Sequence, residues 1–345
     1  MKECLIYKKQ KDGSVVCGVC NHFCRIKPER VGICGVRKNL DGRLFLLVYG
    51  KSAALNIDPI EKKPLFHFLP GSQVYSFGTL GCNFSCKNCQ NYDISQIFGK
   101  KGKLDDCQSM DWGLKAGPDK IVYDAGRFGC KSVAATYNEP AVFFEYALEV
   151  MAAASKKGLK NVWVSNGYFS KEVLERVAPD LDAINVDLKS MEDDFYKKIC
   201  GARLEPVLEN LRRIVRAGIW LEITTLVIPD YSDDMKMLNK LACFISRELG
   251  RDVPWHVSAF SGAISWKMKQ VRDTGAEKIE QVVKLGRKAG LKYVYGGNVS
   301  AAGLEDTRCH KCGRLVIKRQ GYRIESSLKG GKCPDCGEKI AGVWK

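Results

Sequence analysis

The sequence GTLGCNFSCKNCQNYDIS at residues 78–95 contains three cysteines within eight positions. Cys82, Cys86 and Cys89 have the spacing C-x3-C-x2-C. Iron–sulfur clusters are usually held by four thiolates, so a cubane held by three has one iron free to bind another molecule. The segment before the cysteines, residues 74–81, predicts a strand, and Gly81 permits a tight turn into the loop. The spacing therefore predicts a reactive [4Fe-4S] site, with a zinc site or three unrelated thiols as the alternatives.

Composition places the chain among globular, metal-binding proteins. Its 345 residues are 45% hydrophobic and include 16 cysteines. The first sixteen residues are charged and lack the apolar core of an export signal, and no apolar run approaches the ~18 residues of a membrane helix. A cysteine-rich chain of this kind is expected to be cytoplasmic and to use its thiols for metals rather than disulfides.

The formal net charge of +16 favours an anionic partner such as RNA, an acidic protein surface or a phosphorylated substrate. The alternative is that the lysines and arginines simply lie on solvent-exposed helix faces and bind no partner. Their scattered positions favour this alternative.

Strand-like and helix-like patterns alternate between residues 74 and 300, which predicts parallel strands with helical crossovers. The clearest helix covers residues 141–157, with Pro140 in its first turn, and Ser170 is positioned to cap the next helix. The repetition predicts an α/β fold, a partial or complete β/α (TIM-like) barrel; a doubly wound sheet is the alternative, although no Gly-x-Gly-x-x-Gly turn follows a strand. The seven predicted strands cover residues 74–80, 132–137, 161–165, 183–188, 220–228, 255–260 and 292–295.

Cysteine clusters divide the rest of the chain. We predict an N-terminal cysteine-rich lobe at residues 1–70, the barrel at 71–303 and a C-terminal module at 304–345. Five cysteines lie outside the clusters and are assigned no role, because isolated cysteines are mostly small buried hydrophobes. These five are Cys4, Cys107, Cys130, Cys200 and Cys243.

The C-terminal module carries two C-x2-C knuckles, Cys309/Cys312 and Cys333/Cys336. Four thiolates in two tight turns are typical of a closed tetrahedral zinc site, here a zinc ribbon. Metal binding is expected to supply much of the stability of so small a module. A rubredoxin-like iron site is the alternative. Nearby basic residues, including Arg319, suggest either a grip on RNA or protein or a cap that docks on the barrel.

The N-terminal lobe has four cysteines within eighteen residues, in the pattern C-x2-C-x3-C-x9-C. This density predicts a metal or cluster, and the uneven spacing fits zinc and an auxiliary iron–sulfur cluster equally. His22 lies inside the pattern and could replace one cysteine. The four cysteines are Cys17, Cys20, Cys24 and Cys34.

Polar residues at predicted strand ends are further site candidates. Asp187 and Lys189 share one face of their strand with Asn185, and buried charges of this kind need a partner or a ligand. Thr224 could line the same cavity. His256 is a candidate as well, although a lone histidine on a strand is more often structural.

The three-cysteine loop resembles that of the radical S-adenosylmethionine (SAM) superfamily. The resemblance implies that SAM binds the open iron and is cleaved reductively to a 5′-deoxyadenosyl radical, which abstracts a hydrogen from the substrate. It also implies SAM contacts from Asn138 and Glu139, in TYNEP, and from Asn166, Asp187 and Lys189. TYNEP has Tyr137 and Asn138 where the superfamily often has two glycines, and Asn88 precedes the third cysteine in place of an aromatic residue.

The wider pattern covers nearly the whole chain and resembles the AmmeMemoRadiSam-system radical SAM enzymes, relatives of pyruvate formate-lyase activating enzyme. Its segments are DPIEKKPLFHFLPGS, the cysteine loop, TYNEP, VSNGY, NVDLKS, LVIPD, YGGNV and AGVWK. The resemblance implies a flavodoxin- or ferredoxin-type electron donor, an association with Memo-like and AMMECR-like proteins, and a protein glycine as one source of the hydrogen. RNA modification is a second enzyme hypothesis, and a zinc-bound RNA- or protein-binding scaffold is the non-enzyme alternative.

Overall fold

The computed structural model describes residues 1–96 and 112–345, so Cys107 lies outside the described residues. The chain groups into two compact units, and the predicted division into three domains remains a prediction. The first unit comprises Met1–Asp58, Gln73–Asp182 and Cys200–Ala202, and the second comprises Pro59–Ser72, Ala183–Ile199 and Arg203–Lys345.

The first unit contains short antiparallel strands from the N-terminal lobe and longer strands from the α/β part of the chain. Its helices are Tyr92–Ser95, Pro118–Arg127, the 3-10 turn Pro140–Phe143, Phe144–Lys156 and Lys171–Val177. Its strands are β1 (Lys2–Glu3), β2 (Tyr7–Lys9), β3 (Val15–Cys17), β4 (Arg25–Ile26), β5 (Arg37–Leu40), β6 (Arg43–Leu46), β7 (Lys51–Ser52), β8 (Ala54–Pro59), β9 (Gln73–Gly78), β10 (Leu114–Lys115), β11 (Ser132–Ala135) and β12 (Lys160–Ser165).

The parallel part of this unit is β9, β11 and β12, with β8 beside β9. Strand β11 lies in the centre, where Ser132 is in register with Val74 on one side and Lys160 on the other. All four residues of β11 are buried, as expected for a parallel strand covered on both faces.

The long helix differs from its prediction at the first turn. A 3-10 turn, Pro140–Phe143, precedes the α-helix Phe144–Lys156. Pro140 has no backbone N–H to donate, and the Glu139 carboxylate accepts from the N–H of Ala141, so the chain is capped before the regular helix starts. The predicted cap at Ser170 is confirmed, because its hydroxyl accepts from the N–H of Val173 at 3.3 Å.

A fully buried ion pair ties the N-terminal strands to this helix. The Arg37 guanidinium donates to both carboxylate oxygens of Glu145, at 3.0 and 2.6 Å, and Glu145 also accepts from the N–H of Leu5. The two side chains are 2% and 0% exposed. Attraction and hydrogen bonds from Arg37 lower the pKa of Glu145 although burial alone would raise it.

The second unit repeats the strand–helix alternation. Strands β13, β14, β15 and β16 are parallel neighbours in chain order, and β17, β18 and β19 form a separate antiparallel sheet. The strands are β13 (Ala183–Asp187), β14 (Trp220–Val227), β15 (Trp255–Ala259), β16 (Val294–Gly297), β17 (Thr307–Arg308), β18 (Leu315–Gln320) and β19 (Arg323–Ser326). The helices are Asp193–Phe195, Glu205–Arg216, Met235–Phe244 and Ala276–Lys288, with 3-10 turns Ile60–Lys62 and Gly262–Ile264 and π-helical turns Tyr196–Cys200 and Ile245–Leu249.

The fold is therefore α/β with a mostly parallel central sheet. All seven predicted strands are present within one or two residues of their predicted ends, counted over the residues that the structure describes. No helix in that described part of the chain combines the length and apolar character needed to cross a lipid bilayer.

We predict that Glu145→Ala lowers the free energy of unfolding by about 3–5 kcal/mol, because the Arg37 charge is left buried without its partner. The control is Glu172→Ala, which breaks an exposed i,i+4 pair with Arg176 and is expected to cost about 0.5 kcal/mol. Anaerobic denaturant unfolding of the metal-loaded proteins measures both. Equal losses in the two variants would contradict this role for the buried pair.

Candidate metal and cofactor site

The cysteine loop begins directly after β9, at the carboxyl end of that strand. Gly81 precedes Cys82 with a φ of +86°, in the region that favours glycine. A Cβ atom at Gly81 would lie 2.4 Å from the carbonyl oxygen of Cys34. The loop therefore passes so close to the N-terminal lobe that only glycine fits at this position.

The three thiols lie at or near the protein interior. The backbone N–H of Phe84 donates to the Cys82 sulfur at 3.4 Å, and the Cys89 sulfur contacts the Ser95 hydroxyl at 3.2 Å. Cys86 is 8% exposed. Burial raises the pKa of Cys82 well above its usual value, and the nearby Cys86 and Glu139 raise it further. A metal must therefore replace the proton for Cys82 to serve as a thiolate ligand.

The three loop thiols do not converge on a single point. Within residues 1–96 and 112–345, only the C-terminal cysteines bring three or more ligand atoms within 4.8 Å of one another. Cys82, Cys86 and Cys89 are spread more widely. In a cubane each thiolate binds a different iron, so three thiols that do not converge on one point are compatible with such a group.

Asn83, between the first two cysteines, offers an unused donor. Its side-chain Nδ2 is buried and has no hydrogen-bond partner among the described residues, whereas its Oδ1 accepts from Asn166 at 2.8 Å. A buried amide N–H without a partner costs on the order of 1–3 kcal/mol. The sulfur atoms of a cluster accept such hydrogen bonds, so the loop fits an iron–sulfur group in its donors as well as its thiols.

Asn138, predicted as a SAM contact, makes hydrogen bonds to the backbone that leads into the cysteine loop. Its Nδ2 donates to the Gly81 carbonyl at 2.6 Å and to the Thr79 hydroxyl at 3.3 Å. Its Oδ1 accepts from the Thr79 N–H at 3.3 Å. The side chain thus fixes the backbone that leads into Cys82.

Glu139 holds the ends of neighbouring strands together. Its carboxylate accepts from the N–H of Asn166 at 2.7 Å and from the Ser165 hydroxyl at 2.9 Å, in addition to Ala141. The residue is 1% exposed. Asn166 in turn accepts from the N–H of Tyr168 and donates to Asn83. The structure thus brings Glu139 and Asn166 together with the cysteine loop, in the first unit.

Tyr137 adopts a backbone conformation that suits glycine. Its φ is +72°, and a Cβ at the facing Gly78 would lie 2.6 Å from the Thr136 carbonyl. The Tyr137 hydroxyl donates to Asp58 at 2.8 Å and accepts from Asn56 at 2.9 Å. These contacts stabilise a conformation that is costly for a side-chain-bearing residue.

Asp187 and Lys189 lie in the second unit, at the carboxyl end of β13. Lys189 Nζ donates to Asp187 Oδ2 at 2.9 Å, so the predicted pairing of these charges is confirmed. Asp187 is in register with Thr224, whose hydroxyl is buried and has no partner among the described residues. The assignment of both charged residues to SAM stays a prediction.

His256 lies within a strand, in a buried environment of the kind expected for a structural histidine. It is the second residue of β15, and its Nε2 lies 2.6 Å from Glu222. Its ring stacks on Tyr295 and contacts Phe66 edge-on. A buried network therefore holds His256, and its assignment to SAM stays a prediction.

Glu222 is the polar residue that the sequence analysis missed. It is completely buried and accepts from the N–H groups of Phe66 and His67 and from Trp220. Burial alone would raise the pKa of Glu222, but its contacts with His256 and His67 lower it. The sequence signal that could have drawn attention to Glu222 is an acidic residue inside the apolar strand LEITTLV.

The C-terminal cysteines form a compact four-thiol site. Cys309 and Cys336 sulfurs are 3.6 Å apart, as are those of Cys312 and Cys333, and all four lie within 4.8 Å of one another. The knuckle turns close through Gly313 and Gly337, both at positive φ. Four thiols at this spacing can hold one metal ion.

Comparison with known proteins identifies the class. The family model described as the Radical SAM superfamily matches residues 77–242. Pyruvate formate-lyase 1-activating enzyme of Escherichia coli K12 is 22% identical over 66% of this chain and 93% of its own length. The crystal structure of Streptococcus suis SuiB bound to precursor peptide SuiA has a TM-score of 0.51 and 13% identity, over 71% of this chain and 52% of that one, which shows a likeness of fold.

The chain belongs to the radical SAM superfamily and is a radical SAM enzyme, as predicted. SAM and a [4Fe-4S] cluster are the cofactors of this class. Within it, the chain belongs to the family of the uncharacterized protein MJ0808 of Methanocaldococcus jannaschii, to which it is 40% identical over 99% of both chains.

We predict that Asn138→Ala releases cluster iron to a chelator about tenfold faster than the parent, because a hydrogen bond of about 1–2 kcal/mol to the loop backbone is lost. Glu172→Ala is the control, since it removes an exposed side chain whose bond goes to Arg176 and not to the loop. Anaerobic iron release after reconstitution measures both rates. Identical rates in Asn138→Ala and the parent would show that this side chain does not hold the loop.

Proposed function

We propose that Cys82, Cys86 and Cys89 hold the [4Fe-4S] cluster of this enzyme and that it abstracts hydrogen from its substrate. The observation that carries the proposal is the loop itself: three cysteines after β9, of which Cys86 is buried and Cys82 and Cys89 are half-buried, with the unpaired Asn83 amide beside them. When bound, the cluster and SAM supply a one-electron cleavage of a sulfonium that generates an organic radical. Because the chain belongs to the radical SAM superfamily, we interpret its α/β fold as a partial β/α barrel.

The protein's own residues have positioning roles in this proposal. Asn138 fixes the approach to Cys82, and Asn166 fixes Asn83 through its 2.8 Å hydrogen bond. Four short contacts to the Glu139 carboxylate keep the chain after β11 and the end of β12 in place. Glu139 is therefore a positioning residue, and we also retain it as a SAM-contact candidate. Asp187, Lys189 and His256 remain SAM-contact candidates from the sequence.

For the substrate we propose a protein glycine, by analogy with the activating-enzyme relative. This would make the enzyme a glycyl-radical-enzyme activase that receives electrons from a flavodoxin- or ferredoxin-type donor. Association with Memo-like and AMMECR-like proteins is part of the same proposal and rests on the resemblance to the AmmeMemoRadiSam system.

RNA modification is the second candidate, favoured by the net charge of +16. It predicts RNA binding that weakens steeply with salt, because phosphate contacts release counterions. Arg319 does not contribute to such a surface, because it is 5% exposed and donates to Thr307 and to the Phe66 carbonyl. Binding that is independent of salt would contradict the RNA hypothesis.

For the C-terminal site we propose zinc. The paired sulfur distances of 3.6 Å agree with four thiolates around one tetrahedral ion, in which sulfur atoms about 2.3 Å from zinc lie about 3.8 Å apart. All four thiols are used, so the proposed role is structural. The core beside it is continuous with β16 and consists of Phe66, Tyr293, Tyr295, Cys309, Val316, Ile317, Cys333 and Ile340.

The first functional prediction concerns SAM cleavage. The reconstituted, reduced parent is expected to form 5′-deoxyadenosine and methionine, whereas Cys82→Ala, Cys86→Ala and Cys89→Ala each form none above background, because a cluster iron loses its ligand. Cys130→Ala is the control, since Cys130 is an isolated buried thiol and should behave as the parent. Mass spectrometry under anaerobic conditions measures the products. Cleavage that persists in all three variants would refute the proposed ligand set.

The second concerns the metal of the C-terminal module. Cys312→Ala is expected to lose about one equivalent of zinc per chain and to become sensitive to proteolysis after residue 304, because the module has little core of its own. Cys243→Ala is the control outside every cluster. Elemental analysis with limited proteolysis checks both effects, and unchanged zinc content in Cys312→Ala would refute the zinc assignment.

A further inference from the structure

The N-terminal cysteines surround one cavity in the first unit. Cys17 ends β3, and its backbone N–H donates to the Cys24 carbonyl at 3.0 Å, which brings the two segments side by side. All four cysteines line the cavity, together with His22 and Arg37. The remaining walls include Val19, Ile26 and Val142, so the cavity is largely apolar apart from its sulfur atoms.

The spacing of these thiols differs from that of the C-terminal site. No three of them fall within 4.8 Å of one another, whereas the four C-terminal thiols all do. A single tetrahedral zinc ion requires sulfur atoms about 3.8 Å apart. The N-terminal thiols line a cavity instead.

The histidine in this segment is already engaged. His22 Nε2 lies 2.8 Å from the backbone carbonyl of Asn83, and its ring contacts Tyr168. This bond ties the segment between Cys20 and Cys24 to the reactive loop.

A buried cation faces the same cavity. Arg37 is 1% exposed, lines the cavity and places its Nη1 2.9 Å from the sulfur of Cys4. Four thiolates around a cluster carry net negative charge, and buried charge must be compensated. The bidentate pair with Glu145 holds the Arg37 guanidinium in place at the cavity wall.

We propose that Cys17, Cys20, Cys24 and Cys34 hold a second [4Fe-4S] cluster. Four protein thiolates ligate all of its irons, so this cluster has no open position and does not bind SAM. The proposed cluster site lies against the reactive loop. Gly81 of the loop packs closely against the Cys34 carbonyl. Asn83 of the loop lines the cavity, and its carbonyl is bonded to His22. The proposal is independent of the proposed substrate and of SAM cleavage.

The test removes the reactive cluster and asks what iron remains. Anaerobically reconstituted protein with Cys82→Ala, Cys86→Ala and Cys89→Ala combined is expected to keep about four irons per chain and, when reduced, an EPR signal that SAM does not change. The converse variant, Cys17→Ala with Cys34→Ala, is expected to keep about four irons and a signal that SAM alters. Cys130→Ala serves as the control and should retain both signals.

A triple variant without iron, or one with two zinc ions per chain, would overturn the proposal. The parent protein gives a second measurement should a variant fail to fold. It is expected to bind about eight irons, with SAM perturbing only one of two EPR signals. About four irons and a single SAM-sensitive signal in the parent would overturn the second cluster while leaving SAM cleavage intact, so the two proposals fail separately.

Discussion

The hydrogen bonds to the buried Glu139 carboxylate are the interaction on which the first unit's site depends. An ionised carboxylate removed from water is very costly unless its oxygens are bonded, and those of Glu139 accept from Ala141, Ser165 and Asn166. These donors come from the start of a helix and the end of β12. The carboxylate therefore fixes two chain segments at once, and through Asn166 it reaches the loop residue Asn83.

The same chain of contacts continues into the N-terminal lobe. Asn83 accepts from Asn166 with its side chain and meets His22 with its backbone carbonyl. The Cys34 carbonyl against Gly81 is a second junction between the two segments. The N-terminal lobe and the cysteine loop, whose cysteines lie some fifty residues apart in the sequence, therefore pack directly against each other.

Much of the fold was accessible from the sequence because its elements are set by local patterns. Runs of apolar residues defined the seven strands, and cysteine spacing alone singled out the loop and the C-terminal knuckles. Contacts between residues far apart in the sequence could not be predicted from it. Asn138 was expected to face an ammonium group, yet its amide bonds to Gly81, 57 residues away. Glu222 gave no local indication of its partners, which are His256 and the backbone of Phe66 and His67.

The left-handed backbone of Tyr137 has a consequence for substitutions at this position. Holding a side-chain-bearing residue at a φ of +72° costs on the order of 1–2 kcal/mol relative to glycine, which the hydroxyl contacts with Asp58 and Asn56 offset. A tyrosine at this position is therefore less costly when these partners are in place than when they are absent. With both partners present, a change to glycine would relieve the backbone yet forfeit the contacts, so the effect of a substitution at any one of the three positions depends on the other two.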